Sequence, residues 1–176
     1  MGHKILLFGG NGAGKSTLGK ALAEASDWPF RDVEDYYFPQ ADVDYKFSQS
    51  RSQEEVYQLL TADLAANENL IFAAVRLPLN LNPSALFTCA VWVQTSRETR
   101  LRRVEQRSFA KFGSRMLEGG DLYQSEKAFF DFVKSRSEEY VSDWGKSLTL
   151  PVIAVDGTKP VEENVKRILE QLQKPE

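Results

Sequence analysis

Gly9-Gly-Asn-Gly-Ala-Gly-Lys-Ser-Thr17 places Gly9, Gly14, Lys15 and Ser16 at the spacing G-x-x-x-x-G-K-[ST], that of a loop that cradles a polyphosphate. The chemistry explains the spacing. Several N–H donors must converge on one anion, so the backbone has to curl tightly and approach closely, and glycine permits both. On this reading Gly10, Asn11, Gly12, Ala13, Gly14, Lys15, Ser16 and Thr17 contact the phosphates of ATP. Lys15 brings a compact charge to the β- and γ-phosphates, and the Ser16 hydroxyl is a candidate Mg²⁺ ligand. The flanks agree. Lys4–Phe8 is a short apolar run, as a buried parallel strand should be, while Leu18, Ala21 and Leu22 follow at helical spacing. A helix starting there points its positive end at the same phosphates.

With 176 residues, one domain with a substantial core is expected over 1–176. A net charge of −3 argues against broad binding to nucleic acid or to an anionic membrane. Cys89 is the one cysteine, so disulfides within the chain and thiolate metal clusters are excluded; its apolar neighbours mark it as a core thiol. His3, the one histidine, precedes the first strand and is assigned no chemistry. No signal peptide and no membrane span are visible, so a cytoplasmic protein is expected, as monomer or homodimer.

The pattern alternates between strands and helices. Strands are predicted at 4–8, 30–33, 70–75, 89–95 and 151–155. Helices are predicted at about 15–25, 52–66, 96–109, 125–144 and 161–172. Ser52 and Glu55 form a capping-box pattern, with Val56, Leu59, Leu60 and Leu64 on one face of the helix they open. Five strands separated by helices imply an α/β three-layer sandwich around a five-stranded parallel sheet. Ligands then bind beyond the carboxyl ends of the strands.

Those ends carry candidate chemistry. Asp32, Glu34 and Asp35 follow the second strand, where a carboxylate can serve Mg²⁺, orient a substrate hydroxyl or accept its proton. Strand periodicity puts Asp32 and Glu34 on one side. Asp32 leads as both metal partner and catalytic acid–base candidate. The third strand runs Ala73-Ala-Val-Arg76 with no carboxylate at its end, and Arg76 either holds an anionic substrate group or makes a surface salt bridge. Arg103 and Arg107 share a face of the helix after the fourth strand. Lys111 to Gly120 bears three glycines, with Lys111 and Arg115 on a segment able to close as a lid, drawn at about 108–124. Tyr36, Tyr37 and Phe38 either wall a planar ring or pack beneath a loop.

Taken together, these motifs resemble the small P-loop kinases, the group of adenylate, shikimate and gluconate kinases. The resemblance spans nearly the whole chain and implies a P-loop NTPase fold of the nucleotide-kinase type with a short lid. Asp156-Gly-Thr-Lys-Pro-Val161 is similar to the adenine-side loop, which implies contacts from Gly157, Lys159 and Pro160. Arg103-Val-Glu-Gln-Arg107 resembles the paired arginines before the lid, implying that Arg103 stacks on adenine and Arg107 touches the transferring phosphoryl. Arg136 would be a further phosphate arginine. The third strand departs from adenylate kinases, and Asp32-Val-Glu34 stands nearer the Asp-x-Asp of shikimate and gluconate kinases. The expected activity is transfer of the γ-phosphoryl of Mg–ATP to a small metabolite, a nucleotide, nucleoside or polyol- or sugar-like acid. Lys15, Asp32, Arg107 and Arg115 would act on the reacting groups. An ATP-binding regulatory module without transfer is the alternative. A GTPase switch would need Asn-Lys-x-Asp and Asp-x-x-Gly, and neither stands in the expected places.

Overall fold

The computed structural model describes residues 2–39, 47, 49–77 and 81–173. The expected domain over 1–176 also includes residues 1, 40–46, 48, 78–80 and 174–176, which lie outside that set. The elements run β1 (Lys4–Phe8), α1 (Lys15–Ser26), β2 (Phe30–Asp32), α2 (Val33–Tyr37), α3 (Gln53–Ala66), β3 (Leu70–Ala74), α4 (Pro83–Leu86), β4 (Cys89–Gln94), α5 (Arg97–Phe112), α6 (Tyr123–Ser135), α7 (Glu139–Lys146), β5 (Val152–Asp156) and α8 (Val161–Leu172). One turn of 3₁₀ helix, Gly113–Met116, follows α5.

All five strands are parallel, in the order β2-β3-β1-β4-β5. The two-residue period of a strand explains the layers. Ile5 and Leu7 of β1 face a core with Ile71, Val91, Leu18, Leu22 and Ile168, whereas Leu6 and Phe8 face a second core with Phe72, Ala90, Val56 and Leu60. Full burial of each such side chain stabilises by roughly 1.5–3 kcal/mol. Cys89 lies in the first core, and burial pushes its thiol up to about 11, as an inert core thiol requires. The His3 ring stacks on Trp28, with centroids 4.9 Å apart. Among the described residues no helix is long and apolar enough to cross a membrane.

Three expectations about the elements change. First, β2 stops at Asp32, which caps α2: its Oδ1 accepts the Glu34 N–H at 3.0 Å. Glu34 and Asp35 therefore lie in the first turn of a helix, where acidic groups suit the dipole, and strand alternation does not order them. Second, the predicted helix 125–144 breaks at Arg136, whose backbone is extended. The Ser135 hydroxyl donates to the Phe132 carbonyl at 2.8 Å, competing with the helical ladder just before the break. Third, α3 has its capping box, with the Glu55 Oε2 accepting the Ser52 N–H at 2.8 Å, but Leu59 is 37% exposed. The buried stripe is Val56, Leu60 and Leu64, narrower than the four-residue face expected.

The connections place β2 and β3 on one side of β1 and β4 and β5 on the other. The crevice beyond β1 is therefore the switch point of the sheet, where ligands bind in open α/β folds. The glycine loop fills it.

Candidate active site

The loop from Gly9 to Gly14 turns directly into α1. Lys15, Ser16 and Thr17 open that helix, so their N–H groups have no intrahelical acceptor and face outward at its positive end. Gly14, the N-cap, has φ 104°, which L side chains rarely adopt. Gly12 has φ 80° and touches α5 so closely that a Cβ there would lie 2.3 Å from the Arg100 carbonyl oxygen. Arg100 braces the loop from α5: its Nε donates to the Thr95 carbonyl at 3.2 Å, and the Thr95 hydroxyl donates to the Ala13 carbonyl at 3.2 Å. A Cβ at Gly14 would meet nothing nearer than 3.8 Å, so the penalty for Gly14→Ala is backbone strain rather than collision. That variant is expected to lose about 1–2 kcal/mol in urea unfolding. Unchanged stability would mean that the loop relaxes out of this conformation.

Lys15 Nζ donates to the Gly10 carbonyl at 3.0 Å, curled within the loop that it closes. Some of its surface stays open, yet burial lowers its ammonium to about 8, with Arg107 and Arg100 lowering it further and Asp32 and Glu34 opposing them. Beside it, Ser16 Oγ donates to Asp32 Oδ2 at 2.5 Å. Asp32 pairs in register with Ala73 of β3, the strand that ends without an acid. The carboxylate of β2 thus stands one strand over and reaches the Ser16 hydroxyl. A hydroxyl beside a carboxylate is a hard-oxygen donor pair suited to Mg²⁺, which keeps several waters and takes few protein ligands. Among the described residues no group of three or more His, Cys, Asp or Glu gathers as a fuller cage.

On the side of the β5–α8 turn, Arg103 Nη1 donates to the Gly157 carbonyl at 3.1 Å and to the Ala13 carbonyl at 3.4 Å. It joins the β5–α8 turn to the glycine loop. Gly14, Thr17, Arg103, Gly157 and Lys159 line a hollow of about 200 Å³. Lys159 pairs with Glu163 at 2.7 Å, and Pro160 stands at the N-cap of α8. Arg107 is exposed one turn beyond Arg103, near enough to act on the charge of Lys15.

On the opposite side a cavity of about 1020 Å³ opens between α2 and the pair α6 and α7. Glu34, Arg76 and Arg136 line it, with Asn11 at its loop end. Arg136 Nη1 donates to the Asn11 Oδ1 at 2.9 Å, tying the phosphate loop to the far wall. The Arg76 guanidinium lies 4.2 Å from the Tyr140 ring centroid. Asp35 is exposed and is not among the lining residues. Tyr37 and Phe38 line the cavity, but Tyr36 is buried: its ring packs on Phe72 and its hydroxyl donates to Asp63. Arg115 makes a two-pronged pair with Asp121, its Nη2 2.6 Å from Oδ2, which closes the 113–121 segment on itself. Lys111 lies over Phe47 and Phe112.

Reading the sequence missed the Arg100 brace and the wall of Phe129, Phe132, Tyr140 and Trp144. Aromatic residues at helical spacing look the same whether a helix face meets a core or a ligand. The only sequence signal was Arg136 embedded among them.

No protein-family model matches the chain. It is 29% identical over 180 residues to the "uncharacterized protein YqaC" of Bacillus subtilis (strain 168), covering 98% of both. Among solved structures it is similar to a shikimate kinase from Bacteroides thetaiotaomicron, with TM-score 0.60, 20% identity and coverage of 97% of this chain and 98% of that one. A gluconokinase from Sinorhizobium meliloti 1021 gives 0.54 at 18% identity, covering 97% and 91%. A deoxyadenosine kinase from M. mycoides with bound dATP gives 0.53 at 16% identity, covering 97% and 100%. With its five parallel strands, glycine loop and flanking helices, the chain has the P-loop kinase fold of the nucleotide-kinase type.

Proposed function

We propose that this protein is an ATP-dependent phosphotransferase acting on a small metabolite. The observation that carries the reading is the cluster of Lys15, Ser16 and Asp32, with the Ser16–Asp32 hydrogen bond at 2.5 Å, next in the chain to Val33 and Glu34, which line the 1020 Å³ cavity. The glycine loop and the first turn of α1 hold the polyphosphate of ATP. Lys15 and the loop amides stabilise charge as it builds on the transferred phosphoryl. Ser16 and Asp32 would hold Mg²⁺, which when bound neutralises the polyphosphate. Arg103 and the Gly157 turn hold the adenine, and Arg107 sits beside the transferring group. The acceptor enters from the cavity, where Glu34 is placed to orient its hydroxyl and take its proton. Catalysis is then mostly positioning and electrostatics. The lid at about 108–124 closes over the site, with the Arg115–Asp121 pair as its internal brace.

The strand-three end without an acid supports a second reading, an ATP-binding module without transfer. Turnover of Mg–ATP against a panel of hydroxyl compounds separates the two. Acceptor-dependent ADP release supports the kinase; tight ATP binding with no release across the panel supports the module.

Lys15 also couples nucleotide binding to pH. Without ligand, it loses its proton as pH rises through about 8. Phosphate oxygens favour the ammonium, so the complex holds more protons than the free protein between pH 8 and the higher value in the complex. Affinity for Mg–ATP is therefore expected to fall as pH rises above about 8. Calorimetry at pH 8.5 in two buffers of different ionisation heat should show net proton uptake, absent in Lys15→Ala. No uptake by the wild type would contradict the placement of Lys15 on the phosphates.

A further inference from the structure

The cavity walls narrow the acceptor, in an inference that takes its chemistry from the phosphotransferase reading. One wall presents Phe129, Phe132, Tyr140 and Trp144 from α6 and α7, and the other presents Tyr37 and Phe38 from α2 and its end. Phe47 joins the two walls, edge-on to Phe38 at 5.0 Å and stacked on Phe129 at 6.1 Å. Phe132 is 53% exposed, a large apolar ring facing open volume. Apolar surface left open inside a cleft marks a wall built for a ligand rather than for packing.

The positive groups are gathered in one place. Arg76 and Arg136 both stand by Tyr140, with guanidinium carbons 4.2 and 5.2 Å from its ring centroid. Arg136 lies also 4.3 Å from the Phe132 centroid. Among the described residues neither guanidinium forms an ion pair with a carboxylate. Burial lowers the pKa of Arg136, and the charge of Arg76 lowers it further. Two like charges, partly stripped of water and held by aromatic faces, form a site that an anion completes.

We propose that the acceptor is a planar ring compound bearing an anionic group, a carboxylate or a phosphate. The ring lies between the α2 and α6 walls, and the anion sits between Arg76 and Arg136. Aromatic faces bind flat rings by offset or edge contact, and the planar guanidinium fork matches either anion. A polyol acid of the gluconate kind is disfavoured, because its row of hydroxyls needs many polar partners and these walls are mainly aromatic and aliphatic.

The test is calorimetric binding to the full chain saturated with Mg–ADP, so that the phosphate loop is already filled. The probes are nucleoside monophosphates, the matching nucleosides, 4-(hydroxymethyl)benzoate and gluconate. At least one planar anion is expected to bind in the millimolar range or tighter, and about ten-fold more tightly than its uncharged counterpart. Arg76→Ala should erase that difference. Tyr140→Leu and Phe132→Ala should each weaken planar anions about ten-fold while leaving Mg–ADP affinity unchanged, and Tyr140→Phe should restore binding. Binding of the nucleoside monophosphates alone assigns the anion as phosphate, and binding of the benzoate alone assigns a carboxylate. Gluconate binding more tightly than every planar anion overturns the proposal, as does Mg–ADP binding with no planar anion binding at all. A planar anion that binds as described but is never phosphorylated would count against the catalytic reading and leave the ligand class standing.

Discussion

Replacing Lys15 by alanine is expected to reduce phosphoryl transfer by about 10³-fold or more while the protein stays folded. The ammonium sits in the curl of the glycine loop, 3.0 Å from the Gly10 carbonyl, with Ser16 and Asp32 beside it. Its effect is strongest where charge builds during transfer, so the loss belongs in kcat more than in KM. Stability should not suffer in the same way. Burial already disfavours the charged form in the folded state, as the lowering to about 8 records. The unfolded chain holds its proton up to the ordinary value of 10.5, so at neutral pH this lysine is a net burden on the fold. Circular-dichroism melting should place the variant no lower than the wild type. A variant that melts far below it would indicate a structural role for the lysine stem.

The second large effect is expected at Asp32, which has two roles that can be separated. Its Oδ1 caps α2, and its Oδ2 accepts the Ser16 hydroxyl. Asparagine is as good an N-cap as aspartate, so Asp32→Asn should change stability by less than ~1 kcal/mol. It removes the negative charge, and with it the anionic partner of the Ser16 site. Transfer should fall about 10²-fold, with a raised Mg²⁺ requirement. Asp32→Ala should lose both the activity and about 1 kcal/mol of capping. Wild-type turnover by Asp32→Asn would move the metal role to another residue and would remove the main reason for treating β2 as the substitute for the bare end of β3.

Much of this was legible in the sequence, and what was not has identifiable causes. The glycine loop declared itself because strand, loop and helix stood in the required order within 26 residues. The sheet was legible because β1 after Lys4 and the whole of β3 are apolar, as strands covered on both faces must be. Periodicity failed at Asp32, since a three-residue strand holds too little pattern to mark its own end and capping by Asp32 decided the backbone instead. It failed again at Arg136, where two serines interrupt an otherwise helical stretch. That break allows the Arg136 guanidinium to reach Asn11, 125 positions earlier in the chain. At Arg115 the sequence showed the charge and the glycine-bearing segment, but not the pairing with Asp121, six residues along.

The most direct measurement follows the γ-phosphoryl itself. The wild type and Lys15→Ala are incubated with Mg–[γ-³²P]ATP and planar anionic acceptors, and the label is separated from ATP and free phosphate. Label on an acceptor with the wild type, and none with a folded Lys15→Ala protein, is the expected result. Equal transfer by the two proteins would contradict the account, as would label appearing only as free phosphate with every acceptor, because either outcome removes the glycine loop and its lysine from phosphoryl transfer to a metabolite.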